Sequence, residues 1–236
     1  MSAGSEPRER NRSMITAAHT IGKVVEINVN GILTNPGRST GWCDYAVTLA
    51  HRHHGVRAEK FEHFSGLLTR HIWQDRRARA LAALANDYLS FGWVVRMRGH
   101  SNGADVICRS LRYLAPGGRI ESVQLIAAAC PASFERNGLN DALMDGRLAR
   151  VVLCCSPDDR ALWAARITYP LLNLIGNGYG CLGFSGPLNV DDSIEHRVRT
   201  VWRPGFDHCD WLTPDNLLAT MRMQGSPRMH QRGYGH

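Results

Sequence analysis

The chain has 236 residues, 44% of them hydrophobic, enough to bury the core of one ordinary globular domain. Lys and Arg outnumber Asp and Glu by 28 to 21, giving a net charge of +7, but the excess is scattered arginine (Arg8, Arg10 and Arg12; Arg76, Arg77 and Arg79; Arg228 and Arg232), which argues for a solvated surface over a nucleic-acid stripe. No apolar run is long enough for a signal peptide or a membrane span, and the seven cysteines include no C-x-x-C pair, so a cytoplasmic protein with free thiols and no integral membrane segment is expected.

Residues 1–20 are polar and charged without periodicity and predict a disordered arm; a folded domain is expected over 21–224 and a flexible tail over 225–236. The run KVVEINVN from Lys23 predicts the first strand, which opens at Asn30-Gly31 into the loop Ile32-Leu33-Thr34-Asn35-Pro36-Gly37. A helix is predicted over Trp42–His53, capped by Ser39 or Thr40 and ended by Gly55. Its last turn holds His51, His53 and His54, but no carboxylate or cysteine stands at ligand spacing and Arg52 lies among the imidazoles, so no metal is expected there. A short strand over 57–64 and a helix over Ile72–Leu89 follow, the helix with Leu81, Leu84 and Tyr88 inward and Arg76, Arg77 and Arg79 outward.

The stretch from Trp93 to Leu114 carries the chemistry. Trp93, Val94, Val95 and Met97 predict a strand; Ala104, Ile107, Leu111 and Leu114 recur at helical spacing; between them lies Gly99-His100-Ser101-Asn102-Gly103. A serine on so sharp a strand-to-helix turn needs residues without bulk two positions before and after it, and it presents its hydroxyl at the strand tip with a helix N-terminus behind. Ser101 is therefore the candidate nucleophile.

A strand over Ser122–Ala129 and a helical stretch through Leu143 come next, then the continuous apolar run Val151–Cys155, as in a strand buried on both faces. It ends in Ser156-Pro157-Asp158-Asp159-Arg160. A carboxylate just past a strand end can orient a histidine; Asp159 is the first choice and Asp158 the fallback, the other reading being an acidic cap on the following helix. Tyr169–Val190 is rich in glycine (Gly176, Gly178, Gly180, Gly183, Gly186), and with Tyr179 and Phe184 it suggests a flexible apolar flap able to line an acyl pocket. The last strand, Arg197–Trp202, opens into the loop holding His208, the candidate general base; His196 is the weaker rival because it precedes the strand. Residues 214–223 predict a closing helix. Strands alternating with helices imply an α/β fold: a mostly parallel central sheet with helices on both faces and catalytic groups at the strand C-terminal ends.

The order Ser, Asp, His, each just after a predicted strand, resembles the α/β-hydrolase superfamily, on GHSNG for Ser101, CCSPDDRAL for Asp159 and GFDHCDWL for His208. The resemblance covers the layout from about residue 23 to 220 and implies a small lid or none. It also implies an oxyanion site built from the backbone amides of Asn102 and of Ile32 or a neighbour, although the His-Gly pair familiar in that loop is replaced here by Asn30-Gly31. The expected activity is cleavage of a small-molecule carboxylic ester through an acyl-enzyme, with no metal or organic cofactor and no nucleic-acid partner. Two alternatives stay open: acyl transfer to another acceptor, or a non-catalytic protein of the same scaffold that binds nucleic acid or anionic lipid through its basic surface.

Overall fold

A computed structural model describes residues 23–31, 41–63, 70–174 and 180–225. In chain order the elements are β1 (Val24–Val29), α1 (Gly41–Leu49), β2 (Arg57–Phe61), α2 (Arg70–Ser90), β3 (Val94–His100), α3 (Asn102–Ser110), β4 (Ile120–Ile126), α4 (Phe134–Asn137), α5 (Leu139–Met144), β5 (Val151–Cys155), α6 (Arg160–Leu174), α7 (Leu182–Ser185), β6 (Val198–Trp202) and α8 (Pro214–Gly225). The six strands form one sheet in the order β2-β1-β3-β4-β5-β6, and every neighbouring pair is parallel. The chain thus starts inside the sheet, steps outward once to β2, crosses back to β3 and then adds strands in one direction, as right-handed crossovers allow. No helix among the described residues is long and apolar enough to cross a membrane.

One face of the sheet is apolar. Val25, Ile27 and Val29 of β1, Val95 and Met97 of β3, Val123 and Leu125 of β4, and Val151, Leu153 and Cys155 of β5 pack with Leu81 and Ala85 of α2 and Val106, Ile107 and Cys108 of α3. Alternation along each strand sends every second residue to the other face. There an apolar cluster built on Trp42, Cys43 and Ala46 of α1 and Leu217 and Met221 of α8 meets Ile126 and Cys154.

The middle of that second face is polar and still buried. Arg98, 1% exposed, sits at its centre. Its Nη1 donates to Asn28 Oδ1 at 2.9 Å and to Glu26 Oε2 at 3.3 Å, its Nε to Gln124 Oε1 at 2.6 Å and its Nη2 to Gln224 Oε1 at 2.7 Å. Gln224 in turn donates to the carbonyl of Met97 and to Ser122 Oγ, and Gln124 to the carbonyl of Thr220. Saturating each buried donor and acceptor is the condition for burying such groups at all. The network therefore ties α8 to β1, β3 and β4.

Four expectations are corrected. Arg77 does not face solvent: it is buried and donates to Gln74 Oε1 at 3.2 Å, while Arg76 and Arg79 are exposed, their guanidinium groups lying over the rings of Trp73 and Tyr113. The fourth strand ends at Ile126: the Ala127 amide still donates to the Cys154 carbonyl at 3.0 Å, but its backbone turns to φ 44. Residues 180–186 are not a free flap. A Cβ on Gly180 would stand 1.9 Å from the backbone of Cys130 and one on Gly183 2.3 Å from that of Ala128, while the amides of Leu182 and Gly183 donate to Cys130 and Ala128. These two glycines allow close backbone approach to the segment after β4. The strand expected over 57–64 stops at Phe61; the arm over 1–20, Ser39, Thr40 and residues 226–236 lie outside the described residues.

Candidate active site

β3 leads straight into the serine turn. Ser101 has φ 54 and ψ −122, a backbone conformation costing a non-glycine residue about 1–3 kcal/mol and kept only where the surroundings enforce it. Here they do. The Ser101 amide donates to the Ile126 carbonyl at 3.0 Å, and its carbonyl accepts from the amides of Ala104 and Ala129, both at 3.1 Å. The flanking glycines answer to space: a Cβ on Gly99 would lie 2.7 Å from Ile107 Cδ1, and one on Gly103 2.4 Å from the carbonyl oxygen of Val29. The end of β1 thus packs directly on the turn, and Gly31 would place a Cβ 3.1 Å from that of Ser101.

Asn102, the expected oxyanion donor on this side, opens α3 in full burial, and its Oδ1 accepts from Gln74 Nε2 at 3.1 Å. Ile32, the other, lies outside the described residues. The chain leading to it is fixed by Asn30, whose side chain donates to the carbonyl of His63 at 3.2 Å and accepts from the amide of His63 at 3.1 Å.

The candidate acid and the candidate base meet. Asp159, fully buried, places Oδ2 2.8 Å from Nδ1 of His208, while its Oδ1 accepts from the amide of Leu162 at 2.9 Å. The two readings of the acidic turn are both realised in one carboxylate: one oxygen caps α6, the other holds the imidazole. Asp158 is exposed and instead accepts from the Gly205 amide at 2.6 Å. Further bonds lace the two loops together. Asp207 Oδ1 accepts from the amides of His208 at 2.7 Å and Arg160 at 3.1 Å, donors that hold this carboxyl below the usual carboxylate range, and Ser156 Oγ donates to the Phe206 carbonyl at 2.6 Å. His196 falls in a short 3₁₀ turn ahead of β6, at the opposite end of the sheet from this cluster.

The His208 ring lies beside the serine turn, its centroid 4.7 Å from that of His100, the residue before Ser101. Among the described residues no hydrogen bond joins Ser101 Oγ to His208. Such a contact commonly tightens only with substrate bound. Phe184 lies under the guanidinium of Arg166 and lines a cavity of about 580 Å³ with Pro157, Asp158, Asp159, Arg160, Trp163, Gly205 and Asp207. This cavity opens on the acid side of the cluster, and Ser101 is not part of its wall. Tyr179 lies outside the described residues.

Two histidines near the site carry protonation states that sequence inspection missed. Burial drives His100 down to about 3, helped by the nearby His208, and drives His63 down to about 4, helped by Arg77. Both are neutral in the folded chain at pH 5, whereas in the unfolded chain, with an ordinary value of 6.5, both are largely protonated. The unfolded state thus binds more protons, so stability rises with pH between about 4 and 6.5, by up to about 1.4 kcal/mol per pH unit for each histidine, and levels off above. Urea midpoints measured from pH 4.5 to 7.5 on wild type and His63→Phe are expected to show a shallower slope in the variant; equal slopes would remove His63 from this account.

No protein-family model and no curated protein matches the chain. Solved structures do. An uncharacterized protein from Bacillus cereus ATCC 10987 superposes over 87% of this chain with a TM-score of 0.54 and 13% identity. This chain spans about 61% of that protein's length. An acetyl xylan esterase aligns over 86% of this chain and 98% of its own, with a TM-score of 0.49 and 10% identity. A protein from Xanthomonas campestris pv. campestris, described as a candidate hydrolase of the alpha/beta superfamily, aligns over 84% and 98%, at 0.47 and 12%. The fold is an α/β one, a six-stranded parallel sheet with helices. At such identities the likeness concerns the fold and not the chemistry. In this α/β fold the serine turn follows the third strand, the acidic turn the fifth and the histidine loop the sixth, all at strand C-terminal ends.

Proposed function

We propose that the chain is a serine hydrolase that cleaves a carboxylic ester of a small molecule. Ser101 Oγ attacks the ester carbonyl while His208 Nε2 takes its proton, and Asp159 holds the imidazole by Nδ1 and stabilises the imidazolium. The oxyanion is held by the Asn102 amide and by an amide of the loop at Ile32. His208 then gives its proton to the departing alkoxide, leaving an acyl group on Ser101, and water activated by the same imidazole hydrolyses it. Phe184, and Tyr179 from the glycine-rich segment, serve the substrate's apolar part.

The observation that carries this reading is the 2.8 Å contact between His208 and a fully buried Asp159, formed beside a serine held at φ 54. A surface histidine and a helix cap have no need to meet across 49 residues of sequence. The test is covalent labelling with a fluorophosphonate. Wild type is expected to be labelled on Ser101, Ser101→Ala not at all, and His208→Ala more slowly by about 10²-fold or more. A folded wild type that resists the reagent and leaves p-nitrophenyl esters of every chain length intact refutes the proposal.

A further inference from the structure

We propose that His100 is a positioning residue: as a neutral Nε2–H donor to the main-chain carbonyl of His208, it holds the loop that carries the general base against the serine turn. The bond is 3.0 Å long. A carbonyl oxygen can only accept, so Nε2 of His100 must carry the proton, and burial keeps the ring uncharged. Its surroundings fix the ring further. Trp42 of α1 meets it edge-on at a centroid distance of 6.2 Å, the His208 ring lies at 4.7 Å, and a Cβ on Gly31 would come within 3.3 Å of Nδ1.

His208 is consequently held at three points. Its amide donates to Asp207 Oδ1, its carbonyl accepts from His100 and its Nδ1 is engaged by Asp159. Among the described residues its Nε2 has no partner, which leaves that atom for the serine proton. Two of the three anchors come from the base's own side of the sheet, the adjacent Asp207 and Asp159 at the end of the neighbouring β5. Of these three anchors His100 is the one that ties the loop to β3, the strand that leads into Ser101, so it sets the distance between His208 and Ser101. Neutrality matters as much as shape: an imidazolium at residue 100 would face the positive charge that forms on His208 during turnover. The residue between Gly99 and Ser101 thus has a task that the small-residue rule for the turn leaves unstated.

The proposal rests on the serine-hydrolase reading for its effect on rate, but not for its effect on geometry, and the experiment separates the two. His100→Gln keeps a donor that can reach the carbonyl; His100→Asn keeps an amide too short to reach; His100→Phe keeps a ring without a donor. Two quantities are read below the melting point of each variant: ester hydrolysis, and the low-field proton NMR resonance of the His208 Nδ1–H bond to Asp159. His100→Gln is expected to retain the resonance and a kcat within about three-fold of wild type, and His100→Asn and His100→Phe to lose or broaden the resonance and lower kcat about ten-fold or more, with KM within about two-fold. Should His100→Phe fail to fold, the comparison of Gln with Asn decides. Equal kcat and an intact resonance in Gln and Asn variants, or losses that only track melting temperature, overturn the proposal. A wild type that shows the resonance but takes no fluorophosphonate defeats the hydrolase reading instead, and the resonance alone then judges the role of His100.

Discussion

Replacing Asp159 with asparagine is expected to lower kcat by about 10⁴-fold with little change in KM, because the substitution reverses a hydrogen bond without moving the backbone. The direction follows from the two contacts of the carboxylate. Oδ1 accepts from the Leu162 amide, and an asparagine must keep an oxygen there or leave a buried N–H unpaired. Its amide nitrogen then faces Nδ1 of His208, where Asp159 now presents an acceptor. Nδ1 becomes the acceptor, the proton moves to Nε2, and the histidine can no longer take the serine proton. Asp158→Asn is the control. That carboxylate is exposed and among the described residues holds only the Gly205 amide, so activity within about ten-fold of wild type is expected there. Steady-state hydrolysis of a p-nitrophenyl ester, with thermal melts on both variants, checks the pair; comparable losses at 158 and 159 would remove Asp159 from its role.

Arg98→Met is expected to be the most costly single change in the sheet, destabilising the fold by about 3–5 kcal/mol in urea denaturation. It strips the guanidinium from a site 1% exposed and leaves Glu26, itself buried, with only the 3.9 Å contact to Arg96, while Asn28, Gln124 and Gln224 each lose a donor. Removing the stranded charge as well should restore a large part of the loss, since an apolar pair of similar volume often replaces a buried ion pair at no net cost. Glu26→Leu combined with Arg98→Met is therefore expected to be more stable than Arg98→Met alone. A double variant weaker than the single one would show that the amides, not the ion pair, dominate the network.

The candidate site was more legible in the sequence than the packing beneath it. Ser101, Asp159 and His208 each announce themselves locally, by two glycines around a serine, an acidic turn after VVLCC and a histidine after the last strand, and parallel strands bring such turns to one edge. Arg98 announced nothing. In KVVEINVN and VVRMRGH the polar residues alternate with apolar ones, a pattern that reads as a solvent-facing side; it is buried here because α1 and α8, distant in sequence, cover it. The signal that could have exposed it is complementarity across the ladder, where Asn28 is level with Arg98 and Arg98 with Gln124. Arg77 misled for a related reason: it sits among outward arginines on α2, but it bonds to Gln74 one turn back on the helix and lies near His63, brought close by the fold. His100 stood inside the quoted motif, but its partner lies 108 residues away.

The three chemical groups do not share equally secure foundations. Ser101 hangs from β3, which has a strand on either side, whereas His208 follows β6, an edge strand that among the described residues pairs only with β5 and ends in a Trp202 that is 45% exposed. Partial opening of a fold starts at such margins. If β6 peels away, His208 departs with it while Ser101 keeps its posture, so on the proposed mechanism mild denaturant or warming should silence ester hydrolysis well before the bulk of the helices and strands come apart.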